Sequence, residues 1–270
     1  MLPTCQELLL SLDDGVLTIT LNRPQKRNAM NDRLVEEMMA VFSAIEGDRN
    51  VRTVVLRGAK GNFCAGGDIS GMRTDNDKGQ AITPEQAAWN FNRSFGHMIT
   101  LVNQAPQVVV CVLEGAVLGG GFGLACVSDI AIADKQAMFA MPETGLGIIP
   151  AQIAPFVVLR IGLTQARRLA LTGERISGQD AQNLGLVHHV TDSPEALQEK
   201  LAKTLSSVKR CAPGANAETK ALMLQVDSTE LEALLDHASD RFAVALTGAE
   251  GREGTQAFME KRNPNWAQQS

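Results

Sequence analysis

The 270-residue chain contains no tyrosine, and aromatic residues make up only 4% of it. A phenolic acid is therefore unavailable for proton transfer. No apolar run approaches the roughly 18–20 residues needed to cross a bilayer, and the first residues, Met1-Leu2-Pro3-Thr4-Cys5, show no basic stretch leading into an apolar one, as a signal peptide would. The five cysteines are far apart and form no C-x-x-C pair. They read as reduced thiols of a cytoplasmic protein rather than a disulfide framework. Basic residues are not in excess either: 25 Lys+Arg against 30 Asp+Glu give a net charge of −5. That balance argues against nucleic acid as a partner.

What is present is the composition of a globular protein, with 44% apolar and 20% charged residues and 24 glycines. The alternation in Val16–Leu21 predicts the first strand, with Leu17, Ile19 and Leu21 on one face. Asn31 is placed to cap a helix over residues 32–45, whose Leu34, Val35, Met38, Phe42 and Ile45 share a stripe. A second strand covers residues 53–57, and a helix about 84–103 follows the polar, poorly periodic residues 71–86. The unbroken apolar run Val108–Leu113 predicts a strand covered on both faces, followed by a helix over 120–127 and a strand over 129–133. Strands and helices alternating in this way imply parallel β-α-β units, and from about residue 194 the pattern is purely helical. The expectation is an α/β core over residues 1–193 and a helical region over 194–270.

The glycine cluster Gly115–Gly123 does not carry a nucleotide motif. No lysine follows it, as a P-loop needs, and Leu124 stands where a third dinucleotide-binding glycine would be. There is no G-x-S-x-G elbow, and His97, His188, His189 and His237 lack metal-ligand spacing. Two loops remain: residues 61–69 and the glycine cluster, each directly after a strand. Small residues there let a backbone approach a ligand, and two N–H groups converging from separate loops would make an oxyanion hole. Tight turns and helix packing would account for the same glycines.

Phe63-Cys64-Ala65-Gly66-Gly67-Asp68 resembles the F-x-A-G-x-D signature of the enoyl-CoA hydratase/isomerase (crotonase) superfamily, and Glu114–Gly121 resembles its second signature. Asn22-Arg23-Pro24 with Asn28-Ala29-Met30, the segment Leu171–Ile176, and Ala257–Arg262 match further recurring segments in the same order. The resemblance implies a spiral of ββα units with a C-terminal helical region, assembled as a homotrimer or a dimer of trimers. It also implies an acyl-CoA thioester as substrate, with no metal and no cofactor beyond the CoA that the substrate carries. The Gly67 and Gly120 N–H groups would hold the thioester oxygen, and Glu143, in the Pro142-Glu143 pair, would move the proton. Around them the resemblance implies contacts from Ala65, Asp68, Ile69 and Gly123, with Lys26, Arg27, Phe258 and Lys261 near the CoA phosphates and adenine.

Hydratases of this family typically carry a second glutamate three residues after the second oxyanion glycine. Here that residue is Gly123. The missing side chain is expected to leave room for a branch on the substrate's β-carbon. The P-A-x-I-x-P stretch at 150–155, with G-G-G-x-G-L, resembles the branch of the family that hydrates 3-alkylglutaconyl thioesters, isohexenyl or methyl. That likeness implies syn addition of water to give a 3-hydroxy-3-alkylglutaryl-CoA. A Δ3,Δ2-enoyl-CoA isomerase, which also works with one glutamate, and a non-catalytic CoA-binding protein are the alternatives.

Overall fold

The computed structural model describes residues 1–75 and 79–267. Part of the polar stretch at 71–86 and the last three residues of the expected helical region therefore lie outside the described residues. The chain opens with a strand that sequence alternation does not reveal, β1 (Leu8–Asp13), followed by the anticipated β2 (Val16–Leu21). β1 pairs antiparallel with β2 at the sheet edge, and Leu9 and Leu12 stay about half exposed. An edge strand of that kind needs no clean alternation of apolar and polar residues.

The helix α1 (Asp32–Ile45) begins where Asn31 accepts a hydrogen bond from the Leu34 N–H at 3.0 Å. Its predicted stripe is buried, and Val41 joins it. Then come β3 (Thr53–Gly58), α2 (Pro84–Gln104), β4 (Val108–Leu113), the three-residue β5 (Ala116–Leu118) and α3 (Gly120–Val127). β6 (Ile130–Asp134), β7 (Met138–Ala140) and α4 (Ala154–Thr172) complete the next unit, with a break in α4 at Gly162. β8 (Ile176–Ser177), α5 (Gly178–Asn183) and β9 (His189–Thr191) lead into α6 (Pro194–Lys209), α7 (Pro213–Met223), α8 (Leu231–Thr247) and α9 (Ala249–Met259).

Two sheets result: one in the order β1-β2-β3-β4-β6-β9, the other β5-β7-β8. From β2 onward the large sheet is parallel. After each of its central strands the chain turns a corner and adds a short extended piece that pairs parallel with the piece of the next unit: Met30 with Gly67, Cys64 with Val117, β5 with β7. A helix then returns the chain to the large sheet, so successive ββα turns stack as a spiral. The core between the layers includes Leu17, Leu56, Phe63, Phe122 and Phe139, all fully buried.

This stacking places the site. The loop after the Cys64 piece and the loop after β5 belong to adjacent turns, so they lie side by side without any long-range loop closure of their own. The C-terminal helices are tied to the sheet by Lys220 on α7, which reaches Asp129 at 2.7 Å and the Gln107 carbonyl at 3.2 Å.

Candidate active site

The Met30 bridge fixes the first loop: its N–H donates to the Gly66 carbonyl and its carbonyl accepts from the Asp68 N–H, both at 2.8 Å. The Gly67 N–H between them points the other way. Among the described residues no backbone acceptor takes it. Gly66 has φ +101°, a conformation open to glycine and strained for residues with a Cβ, which makes this reversal possible.

The second donor comes from the start of α3. Gly119, at φ +50°, turns the chain off β5, and Gly120 opens the helix. Its N–H is one of the helix's first-turn donors, which have no intrahelical acceptor and sit at the positive end of the helix dipole. The two loops touch: a Cβ on Gly66 would stand 3.6 Å from the Leu118 carbonyl. Two free donors on adjoining loops, one at a helix N-terminus, are the elements from which an oxyanion hole is built.

Glu143 opens the short 3-10 helix Glu143–Leu146 that follows β7. A Cβ on Gly119 would come within 2.8 Å of Glu143 Oε1, so the carboxylate lies beside the hole. Glu143 Oε2 is buried with no hydrogen-bond partner. Desolvation raises the carboxyl above the ordinary glutamate value, partly opposed by its own backbone N–H. A carboxylate with one oxygen free and its proton affinity raised, beside two free N–H donors, can take a proton from a water or a carbon acid and return it.

Helix α2 covers both donors. A Cβ at Gly67 would touch the Phe91 ring at 3.4 Å, and one at Gly120 would clash with Phe95 at 2.9 Å and Met30 at 2.5 Å. The Cα atoms of the two glycines are therefore backed by an apolar wall. Neither phenylalanine was singled out from the sequence, although they stand at i and i+4 on a predicted helix.

The expectation about Gly123 is corrected. A Cβ there would lie 2.4 Å from Ile153 Cγ2 and 3.1 Å from Ile99 Cδ1. The volume that a second glutamate would use is filled by Ile153, and the bare glycine leaves no void for a substrate branch. The sequence holds both residues but gives no sign that they touch.

The remaining residues fall into two groups. Lys26, Arg27, Ala65 and Asp68 are neighbours: the Ala65 N–H donates to the Arg27 carbonyl at 3.0 Å, and Lys26 lies 3.9 Å from Asp68. Asp68 is engaged by the Ser70 hydroxyl at 2.6 Å and Arg23 at 2.9 Å, and those bonds hold its carboxyl below the ordinary range. Its role in this geometry is to anchor the loop beneath Gly67. Ile69 follows on the exposed side of that loop. Phe258, 84% exposed at the end of α9, and Lys261 beyond it are surface residues in the single chain.

Cys64 lies under the hole, but burial pushes its thiol up to about 12, which leaves it protonated and unreactive. Burial lowers His188 to about 4, and its ring accepts the Ala131 N–H. Among the described residues, no group of three or more His, Cys, Asp or Glu could hold a metal ion, and no helix is long and apolar enough to cross a membrane.

The chain is thus a parallel spiral of ββα units in which two free backbone donors from adjoining turns lie beside one carboxylate held above its ordinary range. The enoyl-CoA hydratase/isomerase family pattern matches residues 11–269, and the chain belongs to that family. The structure of Pseudomonas aeruginosa AtuE superposes with a TM-score of 0.92 at 57% identity, over 97% of this chain and 100% of that one. At 30% identity, over 96% of this chain and 98% of its own length, the chain is similar to the 1,2-epoxyphenylacetyl-CoA isomerase of Escherichia coli K12. The same bacterium's 2,3-dehydroadipyl-CoA hydratase is 29% identical over the same shares, 96% and 98%.

Proposed function

We propose that the chain is a hydro-lyase that adds water across the double bond of a 3-branched glutaconyl-CoA, isohexenylglutaconyl-CoA before 3-methylglutaconyl-CoA, to give the 3-hydroxy-3-alkylglutaryl-CoA. The observation that carries this reading is the pairing of one carboxylate, with an unpartnered buried oxygen and a raised proton affinity, with an apolar side chain, Ile153, in the place of the second. Gly67 and Gly120 polarise the thioester carbonyl, and Glu143 removes a proton from water as its oxygen attacks C3. The electron pair of the C2=C3 bond moves onto the thioester oxygen as an enolate. The proton held by Glu143 is then delivered to C2, so one carboxylate serves as base and acid in turn. Ile153 gives the alkyl branch an apolar wall to pack on instead of a charged group. The 29%-identical hydratase named for 2,3-dehydroadipyl-CoA supports a substrate with an acyl carboxylate.

The exposed apolar residues Leu146, Ile148, Ile149, Leu159, Leu163 and Leu171 support assembly into a homotrimer or a dimer of trimers. In that assembly Phe258 and Lys261 reach the CoA of a neighbouring copy, and Lys26 and Arg27 lie near its phosphates.

An isomerase reading is favoured by the same single carboxylate and by the 30%-identical relative named as an isomerase. The test is loss of the conjugated enoyl-thioester absorbance with isohexenylglutaconyl-CoA, 3-methylglutaconyl-CoA and crotonyl-CoA in parallel, with product masses. Mass gain by one water and preference for the isohexenyl compound place the enzyme in acyclic terpene breakdown; preference for the methyl compound places it in leucine breakdown. Double-bond migration without water would make it an isomerase, and binding without turnover a CoA-binding protein.

A further inference from the structure

Among the described arginines, Arg93 on α2 is the one that is not solvent-exposed and yet has neither a hydrogen bond nor an ion pair. The other partly or fully buried arginines are all engaged. Arg23 holds Asp68, Arg52 binds main-chain carbonyls at 209, 211 and 266, and Arg57 pairs with Glu114. Arg160 donates to the Ser128 and Leu186 carbonyls, and Arg241 pairs with Glu218. None of its guanidinium nitrogens is sealed from solvent without a partner, so the cation is a hydrated, uncommitted donor that an anion arriving with the substrate can engage.

Its surroundings are specific. Arg93 lies in sequence between Phe91 and Phe95 but on a different face of α2 from those two residues, and it shares its face with Gly96. Its guanidinium folds along the helix to the bare Cα of Gly96, where a Cβ would meet Arg93 Nη1 at 2.7 Å and Gln152 Oε1 at 2.0 Å. Gln152 is held there by its own amide, whose Nε2 donates to Asn92 Oδ1 at 2.9 Å. The next residue, Ile153, covers Gly123, one turn along α3 from the Gly120 donor. Neighbour by neighbour, the path runs from the Gly120 donor through Gly123 and the buried Ile153 to Gln152 and Arg93.

We infer that Arg93, steadied beside Gln152 and Asn92, is a specificity-determining residue that binds the carboxylate at the far end of the acyl chain. The inference rests on the reading of this site as an acyl-thioester site, and it identifies the substrate class as thioesters of dicarboxylic acids. With the thioester oxygen on Gly67 and Gly120, the chain passes Ile153, and its terminal carboxylate meets the guanidinium fork. That fork matches a carboxylate in a paired geometry that a lysine ammonium does not reproduce. A chain ending in a methyl group would leave the cation unpaired.

The test uses saturated thioesters, whose binding does not depend on turnover: glutaryl-CoA and butyryl-CoA, measured by calorimetry on the wild type, Arg93→Gln and Arg93→Lys. The expected result is a fall in glutaryl-CoA affinity of about 10- to 100-fold in Arg93→Gln, the range for a lost charged hydrogen bond. Arg93→Lys should fall in between, while butyryl-CoA affinity stays within about twofold in all three, which also shows that the variants are folded. Equal losses for both ligands, unchanged affinity for both, or no binding of glutaryl-CoA to the wild type would overturn the assignment. Absorbance assays on the wild type keep the two readings apart. If no enoyl thioester is hydrated but glutaryl-CoA selectivity vanishes in Arg93→Gln, the hydratase falls and the carboxylate site stands. If hydration is found but selectivity is unaffected, the reverse holds.

Discussion

Asp68 and Glu143 are carboxylates on loops that meet at the same oxyanion hole, and the protein treats them in opposite ways. Asp68 accepts hydrogen bonds from Ser70 and Arg23, and its carboxyl is held below the ordinary range. Glu143 has one oxygen buried without a partner, and desolvation raises its carboxyl. A fully bonded carboxylate is already stabilised as an anion and has little affinity for a proton. One with an oxygen left unbonded in an apolar setting keeps its basicity for the substrate. Position near a ligand is therefore a weaker guide to chemistry than the state of the carboxylate's own hydrogen bonds.

The largest effect is expected where this contrast is removed at the chemical group. Glu143→Gln keeps the shape but cannot accept and return a proton, so kcat should fall by about 10²- to 10⁴-fold, the usual contribution of a positioned acid/base. Thermal stability should be kept or slightly raised, since a neutral amide replaces a desolvated anion. A variant with nearly full turnover would remove Glu143 from the mechanism.

pH separates the two carboxylates further. Hydration needs Glu143 as the anion, so kcat/KM should rise with pH across an acid limb set by the raised carboxyl, above the free glutamate value of about 4.3. Asp68 acts in the other direction. Its folded value is depressed, so its contribution to stability is present above the unfolded value of about 3.9 and is lost as pH falls through the folded one. The enzyme should lose activity on acidification before it loses this part of its stability, in a window where circular dichroism still reports the fold. If the acid limb of kcat/KM coincides with unfolding, the distinction fails.

The next effect is on stability. Asp68→Ala leaves the Arg23 guanidinium with the Ala29 carbonyl and Glu7, and it removes the group that ties the loop at Gly67 to the 23–30 segment. Loss of a largely buried, charged hydrogen-bond partner should cost about 1.5–3 kcal/mol, read from urea unfolding. If Asp68→Ala were as stable as the wild type but inactive, Asp68 would belong with the catalytic groups.

Much of this arrangement is legible from residue patterns. The Asn31 cap, the buried stripe of α1 and the apolar run of β4 follow from local periodicity, and the glycine loops mark the sites of close backbone approach. The family signatures single out Gly67, Gly120 and Glu143, and the fold brings those three segments together. What is not legible depends on contacts between turns of the spiral. β5 and β7, with three residues each, are too short to show a period. That Ile153 fills the space over Gly123, or that Arg93 folds onto Gly96, is set by the packing of α2 against α3 and the 150–153 segment. Asp68 reads as a ligand contact in the motif and as an anchor in the fold, because its partner Arg23 is 45 residues away.

The smallest expected effect, a coupling energy between two variants, tests that inter-turn packing at the position where the second carboxylate is missing. In Gly123→Ala the new methyl would start 2.4 Å from Ile153 Cγ2. Either the side chain or its segment must shift, at a cost of about 1–3 kcal/mol for an overpacked core site. Ile153→Ala alone should destabilise by about 2–5 kcal/mol through the cavity it opens. In the double variant the methyl at 123 has space and fills part of that cavity, so the two losses should sum to more than the measured total. A coupling energy of at least 0.5 kcal/mol in that direction is what contacting residues give. Strict additivity would mean that the two side-chain positions do not share a volume, and that the site keeps open space over α3 which a larger group, a second carboxylate included, could enter.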